Sequence, residues 1–415
     1  MNSPSTPASE MIHIIGVGNI GKFIAHSLAG IPKPPPVTLV FRRHSSVRVW
    51  EQYGRKIDLM THGQVETHDG FHIDLVGPLD TEAEATDPGQ FKKDPSETAA
   101  TASGTSALED EDGDVDAKGI IHNLIVTVPA QNTISALSKV RHRLTRDSTI
   151  LLLQNGMGVI DQVNKELFPD IETRPNYMLG VITHGIYPIG NTGFGINLGG
   201  LGTIALGILP RYPIGDLSSL PPGAKASEKW ASSSRYLLQT IIRTPVLAAT
   251  GFSPTDLQLM QLEKLAVNSI INPLTAVLAC RNGDLLNNFA LTRTMRLLLA
   301  ETSLVIRSLP ELQGVPNIQT RFAPHRLETI TVSVAAKTSK NLSSMLQNIR
   351  AAKETEIDYI NGYIVRRGEE LGISCVMNYM LIQMLKGKAV NLSNGRTDGL
   401  PVEAISDSFG LDPSL

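Results

Sequence analysis

One lysine and two asparagines recur every four residues in an apolar stretch that ends at a proline. The stretch reads KLAVNSIINP, and its polar row is Lys264, Asn268 and Asn272. An α-helix advances about 100° per residue, so positions four and eight apart return to nearly the same face. An ammonium and two amides on one stripe of an apolar helix need solvent, one another or a ligand as hydrogen-bonding partners. We interpret the row as a candidate site.

A glycine-rich turn near the start of the chain is the second candidate. It consists of Gly16, Val17, Gly18, Asn19, Ile20 and Gly21. An apolar run precedes it and a helical pattern follows, and in that context the three glycines permit a tight turn, approach of a pyrophosphate and helix–strand packing. The helix N-terminus then offers free N–H groups to the anion. A glycine turn without function is the alternative, but the flanking strand and helix favour dinucleotide binding.

The end of the second predicted strand discriminates between nicotinamide cofactors. An acidic side chain at this position binds the ribose 2′-hydroxyl, whereas this chain has Arg42 and Arg43 there. Guanidinium groups suit a 2′-phosphate. Solvated surface arginines are the alternative, and the coincidence of place and residue type favours NADP, in its reduced form NADPH.

With a nicotinamide as hydride source, Lys264 is the candidate general acid. A lysine there can hydrogen-bond a substrate carbonyl and protonate its oxygen during reduction, which contributes ~10²–10⁴ in rate. A lysine that covers the helix with its stem and reaches water is the alternative. The asparagines have the alternative of hydrogen bonding between core helices. Pro273 lacks an N–H, so it is expected to bend or interrupt the helix and aim Asn272 into a cleft.

A third motif lies between 341 and 362. Ser344 with Gln347 three residues later predicts a capping box, and that structural role is sufficient to explain the serine. Ser344 to Leu371 is expected to be helical and to carry Glu356. The carboxylate of Glu356 is either solvated or buried as an acceptor for a substrate hydroxyl, and the residues alone leave both interpretations open.

Periodicity predicts an α/β domain followed by an all-α domain. Apolar runs at 11–15, 37–41, 124–128, 150–153 and 178–182 alternate with helical patterns, as in a parallel sheet, whereas helical periods dominate after 255. The expected divisions are a Rossmann-type NADP-binding domain (11–250), a helical substrate domain (251–388), a disordered acidic insertion (80–118), a loop (210–229) and a loose tail (389–415).

Composition narrows the class of protein. Hydrophobic residues make up 41% and charged residues 19% of the 415, as in ordinary globular proteins, and no run of about 18 apolar residues predicts a membrane span. The net charge of −3 includes −9 between Asp80 and Lys118, leaving +6 elsewhere. That balance suits a small anion rather than nucleic acid. Cys280 and Cys375 show no metal or disulfide pattern and no targeting segment is evident, so the cytoplasm is the expected location.

Five motifs in this order resemble the ketopantoate reductase (2-dehydropantoate 2-reductase) family. They are the glycine turn at 16–21, NGMG at 155–158, KLAVN with NPLT between 264 and 275, NLSSMLQ at 341–347 and TEIDYING at 355–362. The resemblance runs from Met11 to about Lys388 without the acidic insertion, and it suggests a fungal or other eukaryotic member.

The resemblance implies NADPH-dependent reduction of 2-dehydropantoate to pantoate, in pantothenate and coenzyme A biosynthesis. A monomer or homodimer is expected. Lys264 matches the family's catalytic lysine, Arg42 the reader of the 2′-phosphate, and Asn155 the asparagine at the nicotinamide end. Glu356 matches the carboxylate near the substrate hydroxyl and the cofactor. Positions matching substrate contacts are Asn268, Asn272, Asn282, Asn341 and Ser344.

One departure from the family pattern keeps rival functions open. Many members carry a lysine where this chain has Pro129, and Gln131 or Asn132 is the candidate substitute. Loss of that charge motivates the first rival, a reductase of another branched 2-keto acid. The second rival is a non-catalytic NADPH-binding sensor or scaffold that interacts through the acidic insertion.

Overall fold

The chain divides into two compact units. The computed structural model describes residues 8–77, 119–190, 193–211, 230–286 and 288–393. Among these, the first unit takes the residues up to Val128 together with Asn132–Gln154 and Asp161–Leu257, and the second takes the remainder. The expected acidic insertion at 80–118, most of the expected loop at 210–229 and the tail beyond 393 lie outside the described residues, and the proposed domain limits stay predictions.

The first unit contains strands and helices in alternation. In chain order they are β1 (Ile12–Ile15), α1 (Asn19–Ala29), β2 (Val37–Phe41), α2 (His44–Gln52), β3 (Ile57–Thr61), β4 (Gln64–His68), β5 (His72–Leu75), β6 (Asn123–Val126), α3 (Thr133–Ser138), β7 (Thr149–Leu152), α4 (Val159–Glu166), β8 (Asn176–Ile182), β9 (Gly185–Pro188), β10 (Gly195–Gly200), β11 (Ile204–Ile208), α5 (Ser232–Ile242) and β12 (Ala249–Gly251). Helix α4 begins within a segment that belongs to the second unit.

Eight of these strands form the main sheet, in the order β12-β11-β8-β7-β6-β1-β2-β5. Six neighbouring strands of this sheet are mutually parallel, namely β5, β2, β1, β6, β7 and β8. Strand β11 pairs antiparallel with β8. Numbered along the chain, those six strands have the order 3-2-1-4-5-6 that dinucleotide-binding sheets share. The chain reverses direction across the sheet between β1 and β6, which is where such sheets bind ligands at their carboxyl edge.

A second sheet of four strands, β4-β3-β10-β9, accompanies the first. Helix α1 contacts β1 and β2 of the main sheet and β3, β4, β9 and β10 of the second. Its Phe23 and Leu28 are fully buried. Strands β9, β10 and β11 lie in the glycine-rich stretch from Gly185 to Ile208. The β3–β4 hairpin was not predicted. Its signal is the pair His62-Gly63, whose positive φ angles of 51° and 82° suit a two-residue hairpin turn.

The second unit is helical. Its helices are α6 (Pro254–Leu278), α7 (Phe289–Ser308), α8 (Ile318–Arg321), α9 (Pro324–Lys337), α10 (Ser344–Arg350), α11 (Ile357–Glu370) and α12 (Val376–Ser393). One apolar cluster from these helices forms its core, with Leu262, Ile270 and Phe322 almost completely buried. The predicted fold class, α/β followed by all-α, is confirmed. None of the helices in the described residues combines the length and apolar content that a membrane-spanning helix requires.

The structure corrects the helix predictions at three places. Helix α6 runs through Pro273, so the expected interruption is wrong, while the expected bend stays a prediction. The expected helix from Ser344 to Leu371 is two helices, because the chain turns at Ala352, whose φ of 50° is left-handed and incompatible with a continuous α-helix. Helix α12 continues to Ser393, so the first residues of the expected tail are helical. There Lys388 Nζ donates to the carbonyls of Ala276 and Val277 and anchors the helix end to α6.

Candidate functional site

A cavity of about 510 Å³ opens at the carboxyl edge of the main sheet in the first unit. It is bounded by the residues that follow β1, β2 and β6, which are the strands on either side of the reversal in strand order. Its polar and glycine lining comprises Gly16, Arg42, Arg43, Ser45, Ser46, Asn132, Ser135, Lys139 and Gly193. The cavity therefore occupies the position at which sheets of this type bind a nucleotide.

The three glycines of the turn are required for different reasons. Gly16 has φ +99°, and a Cβ on it would come within 2.5 Å of the Val128 nitrogen. A Cβ on Gly21 would lie 2.3 Å from the Gly16 carbonyl oxygen. A Cβ on Gly18 would meet nothing within 4 Å, although Gly18 is the residue preceding α1. The fold thus needs Gly16 and Gly21, while the open side of Gly18 fits a cradle for an anion at the helix N-terminus.

Of the predicted turn residues, Gly16 and Val17 line the cavity, and the other four are not among its lining residues. Arg42 follows β2 directly, and Arg43 precedes α2 in extended backbone. Both arginines line the cavity, and their predicted role in reading a 2′-phosphate stays a prediction. A guanidinium pair at this edge fits a cofactor that carries an additional phosphate.

The sequence interpretation missed Ser135 and Lys139 as cavity-lining residues. They lie on α3 and directly after it, in the segment that follows β6. The signal that identifies them is topological: because β6 pairs parallel with β1, the residues after both strands emerge at the same edge. Lys139 adds a cationic side chain to a wall that already holds two arginines, and Asn132, considered earlier as a substitute for the missing lysine, also lies there.

The second unit holds a separate group of polar residues around Glu356. The carboxylate is 9% exposed, and it occupies the position immediately before α11, where the break after α10 places it. Asn155 Nδ2 donates to Glu356 Oε2 at 3.0 Å, and the backbone N–H of Ala130 donates to Oε1 at 3.2 Å. Burial raises the pKa of Glu356, and these hydrogen bonds together with the charge of Lys264 act in the opposite direction.

Lys264 lies on α6 and is coupled electrostatically to Glu356. Burial lowers the pKa of the Lys264 ammonium to about 8, and the negative charge of Glu356 limits that fall. Part of the lysine surface remains exposed. An amine with this pKa is mostly protonated at neutral pH yet releases its proton far more readily than an ordinary lysine, which suits a general acid.

The remaining asparagines of the predicted site differ in their surroundings. Asn268 is half-buried, and Asn272 is 8% exposed. Asn282 is buried, donates to Thr338 Oγ1 at 2.9 Å, and has a buried Oδ1 without a partner among the described residues. A buried acceptor of this kind costs free energy unless a donor reaches it. Asn341 is exposed, and its carbonyl accepts the backbone N–H of Asn282.

The predicted capping box of Ser344 and Gln347 is wrong, and a simple serine cap one residue earlier takes its place. The residue before α10 is Ser343, whose Oγ accepts the backbone N–H of Leu346 at 3.1 Å, while Ser344 is the exposed first residue of the helix. Ser343 is buried, and its hydroxyl also accepts from Thr275 Oγ1 at 2.7 Å and donates to the carbonyl of Asn272 on α6. The structure therefore assigns the cap to Ser343, and a ligand contact of the exposed Ser344 stays a prediction.

Comparison with known proteins decides the family. The model of the family described as "Ketopantoate reductase PanE/ApbA" matches residues 12–211, and that described as "Ketopantoate reductase PanE/ApbA C terminal" matches residues 256–389. The chain belongs to the ketopantoate reductase family. The resemblance stated from five motifs is thus confirmed, and both halves of the family's fold are present in this ketopantoate reductase family member.

Curated relatives of this family member carry two kinds of name. A "Probable 2-dehydropantoate 2-reductase" of Schizosaccharomyces pombe is 27% identical, over 92% of this chain and 97% of that protein. The "2-dehydropantoate 2-reductase" of Escherichia coli O157:H7 is 31% identical over 64% of this chain and 73% of its own. "Ketoisovalerate reductase BEA2" of Gibberella fujikuroi is 26% identical, over 87% of this chain and 79% of that protein.

Solved structures share the family fold. D-mandelate dehydrogenase, solved with NADH and anilino(oxo)acetate, aligns with TM-score 0.65 and 18% identity over 92% of this chain and 99% of its own. The probable 2-dehydropantoate 2-reductase panE from Bacillus subtilis aligns with TM-score 0.55 and 23% identity over 91% of this chain and 99% of its own. At these identities the likeness establishes the fold alone.

Proposed function

We propose that this protein reduces 2-dehydropantoate to pantoate with NADPH, in the route to pantothenate and coenzyme A. The observation that carries the proposal is the group formed by Lys264, Glu356 and Asn155, because it joins an ammonium of lowered pKa to a buried, hydrogen-bonded carboxylate. Membership of the ketopantoate reductase family and the names of its relatives in Schizosaccharomyces pombe and Escherichia coli support the substrate.

NADPH is the proposed cofactor because the cavity in the first unit combines a glycine turn with cations. The open side of Gly18 accommodates a pyrophosphate, and Arg42 with Arg43 suits a 2′-phosphate. When bound, NADPH supplies hydride to the carbonyl carbon of the substrate. NADH has no 2′-phosphate, so the two arginines favour NADPH over NADH as the cofactor.

In the proposed reaction Lys264 donates a proton to the carbonyl oxygen as negative charge develops there. Asn268, Asn272, Asn282, Asn341 and Ser344 are the proposed substrate contacts. Their amides and hydroxyl match the hydrogen-bonding needs of a small hydroxylated keto acid. Glu356 has the proposed role of accepting the substrate hydroxyl and stabilising the protonated form of Lys264.

Reduction of 2-ketoisovalerate is the second candidate. It is favoured by the ketoisovalerate reductases among the relatives and by Pro129, which stands where many family members have a lysine. 2-Ketoisovalerate lacks the terminal hydroxyl of 2-dehydropantoate, so it has nothing to offer a carboxylate acceptor. Ala130 and Asn155 each donate to one oxygen of Glu356, and an ionised carboxylate can accept further hydrogen bonds, so its remaining acceptor capacity favours the hydroxylated substrate.

The decisive experiment follows NADPH oxidation with 2-dehydropantoate, 2-ketoisovalerate and other branched 2-keto acids. We expect the highest kcat/KM with 2-dehydropantoate and a roughly 10²–10⁴-fold loss in Lys264→Ala. A preference for 2-ketoisovalerate selects the second candidate. Absence of turnover with every acid contradicts both and supports the sensor alternative, and equal turnover by the variant removes Lys264 from the mechanism.

A further inference from the structure

Pro273 creates a defect in the helix that carries the proposed catalytic row. In a continuous α-helix the carbonyl of Ser269 accepts the N–H of residue 273, but proline has no N–H and its ring crowds that carbonyl. Helix α6 nevertheless continues through Pro273 to Leu278. Ser269 is fully buried, so water does not replace the missing donor without cost.

Asn361 supplies a replacement donor from another helix. Its Nδ2 lies 2.9 Å from the Ser269 carbonyl oxygen, although 92 positions separate the two residues. Asn361 is fully buried on α11, and its Oδ1 has no partner among the described residues. Burying an amide oxygen without a hydrogen-bond donor lowers the stability of the fold. The hydrogen bonds that Nδ2 donates therefore account for an asparagine at this buried position.

The Asn361 amide is itself held in place. Its Nδ2 also lies 3.0 Å from Asn378 Oδ1, and Asn378 Nδ2 donates to Glu301 Oε2 at 2.8 Å. The Glu301 carboxylate accepts the backbone N–H groups of Met377 and Asn378 at the start of α12. This chain of hydrogen bonds links α7, α11 and α12 to the middle of α6, and each step is buried or partly buried.

We propose that Asn361 is a positioning residue for the row formed by Lys264, Asn268 and Asn272. The Ser269 carbonyl, which Asn361 Nδ2 contacts, lies between Asn268 and Asn272 on the same helix. This hydrogen bond therefore sets how far the helix segment beyond Pro273 is rotated relative to Lys264. The inference rests on the proposed function, because it assigns the row a common task. It requires no contact between Asn361 and the substrate.

Removing the Asn361 donor, alone and together with Pro273, tests the inference directly. Asn361→Leu keeps the side-chain size but removes the donor, and we expect kcat to fall about 10-fold, substrate KM to rise and the NADPH Kd to stay unchanged. Tm should fall by roughly 3–8 °C because a buried carbonyl loses its partner. Pro273→Ala restores a backbone N–H for Ser269, so the double variant should recover most of both losses.

A matched control separates this effect from the general cost of removing a buried asparagine. Asn123 is fully buried in the first unit, and its Nδ2 donates to the carbonyls of Ser9 and Met11. Asn123→Leu should lower Tm by a similar amount without changing kcat, and Pro273→Ala should not restore its Tm. The inference is overturned if adding Pro273→Ala restores the Tm of both asparagine variants equally, or of neither.

The same variants also test the inference if Asn361→Leu does not fold or if the wild-type protein is inactive. If Asn361→Leu does not accumulate as folded protein, recovery of folded protein on adding Pro273→Ala supports the inference and continued absence contradicts it. If the wild-type protein reduces none of the acids, the proposed function fails, whereas the inference is then judged by Tm recovery and by the pH dependence of Lys264 acylation measured by mass spectrometry. Unchanged Lys264 reactivity in Asn361→Leu contradicts it.

Discussion

Asn155 Nδ2 donates to Glu356 Oε2 at 3.0 Å, across 201 positions of sequence. The two residues belong to separate motifs, NGMG and TEIDYING, and the structure makes them direct partners. Tyr359 extends the connection, because its carbonyl accepts the backbone N–H of Met157 at 2.8 Å. Gly156 permits this approach, since a Cβ there would lie 2.6 Å from the Tyr359 carbonyl oxygen. The loop after β7 is therefore built to hold the Glu356 carboxylate.

The pKa of Lys264 predicts how the rate depends on pH. A general acid must be protonated, and the pKa of Lys264 is lowered to about 8 by burial. We expect kcat/KM to be constant below that pH and to fall about tenfold per pH unit above it. Initial rates of NADPH oxidation between pH 6 and 10 measure the profile. A rate that rises through this range contradicts the assigned role.

Replacement of Glu356 by glutamine predicts a shift of that profile. The negative charge of Glu356 raises the pKa of Lys264, so Glu356→Gln should lower that pKa and move the alkaline limb to lower pH. The same change at Glu354, an exposed residue two positions earlier, is the control and should leave the profile in place. An identical alkaline limb in wild type and Glu356→Gln would show that the two groups are not coupled.

Arg42 should determine the choice between NADPH and NADH. Loss of a charge-assisted hydrogen bond to a phosphate costs about 1.5–3 kcal/mol, so Arg42→Ala should raise the KM for NADPH roughly 10- to 100-fold. The KM for NADH should change little, because NADH has no 2′-phosphate. Arg48→Ala is the control, since Arg48 is exposed on α2 and does not line the cavity. Equal effects on both cofactors would remove Arg42 from 2′-phosphate recognition.

Two glycine substitutions should separate folding from cofactor binding. Gly16→Ala forces a left-handed φ on alanine and a clash with Val128, so we expect Tm to fall by several degrees. Gly18→Ala meets open space, so Tm should change by about 2 °C or less while the NADPH Kd rises about 10-fold or more. Thermal unfolding and NADPH fluorescence titration measure the two effects. Normal NADPH binding by folded Gly18→Ala would contradict the phosphate cradle.

Sequence periodicity predicted the fold class and the candidate residues because both depend on local patterns. The apolar runs became β1, β2, β6, β7 and β8 with small shifts at their ends, and the glycine turn followed β1 as expected. Residue type at a strand end was enough to select Arg42 and Arg43, which line the cavity. Spacing by four was enough to select the row on α6.

Only the tertiary structure decided which groups are partners. Periodicity predicted one helix from Ser344 to Leu371, whereas the chain leaves the helix near the left-handed Ala352, and Glu356 immediately precedes the next helix. The donor that compensates Pro273 is Asn361, and a local pattern contains no information about a hydrogen bond between residues 92 positions apart. Residue types and spacing thus determined what the candidate groups are, while long-range hydrogen bonds and burial determined their pKa values and their neighbours.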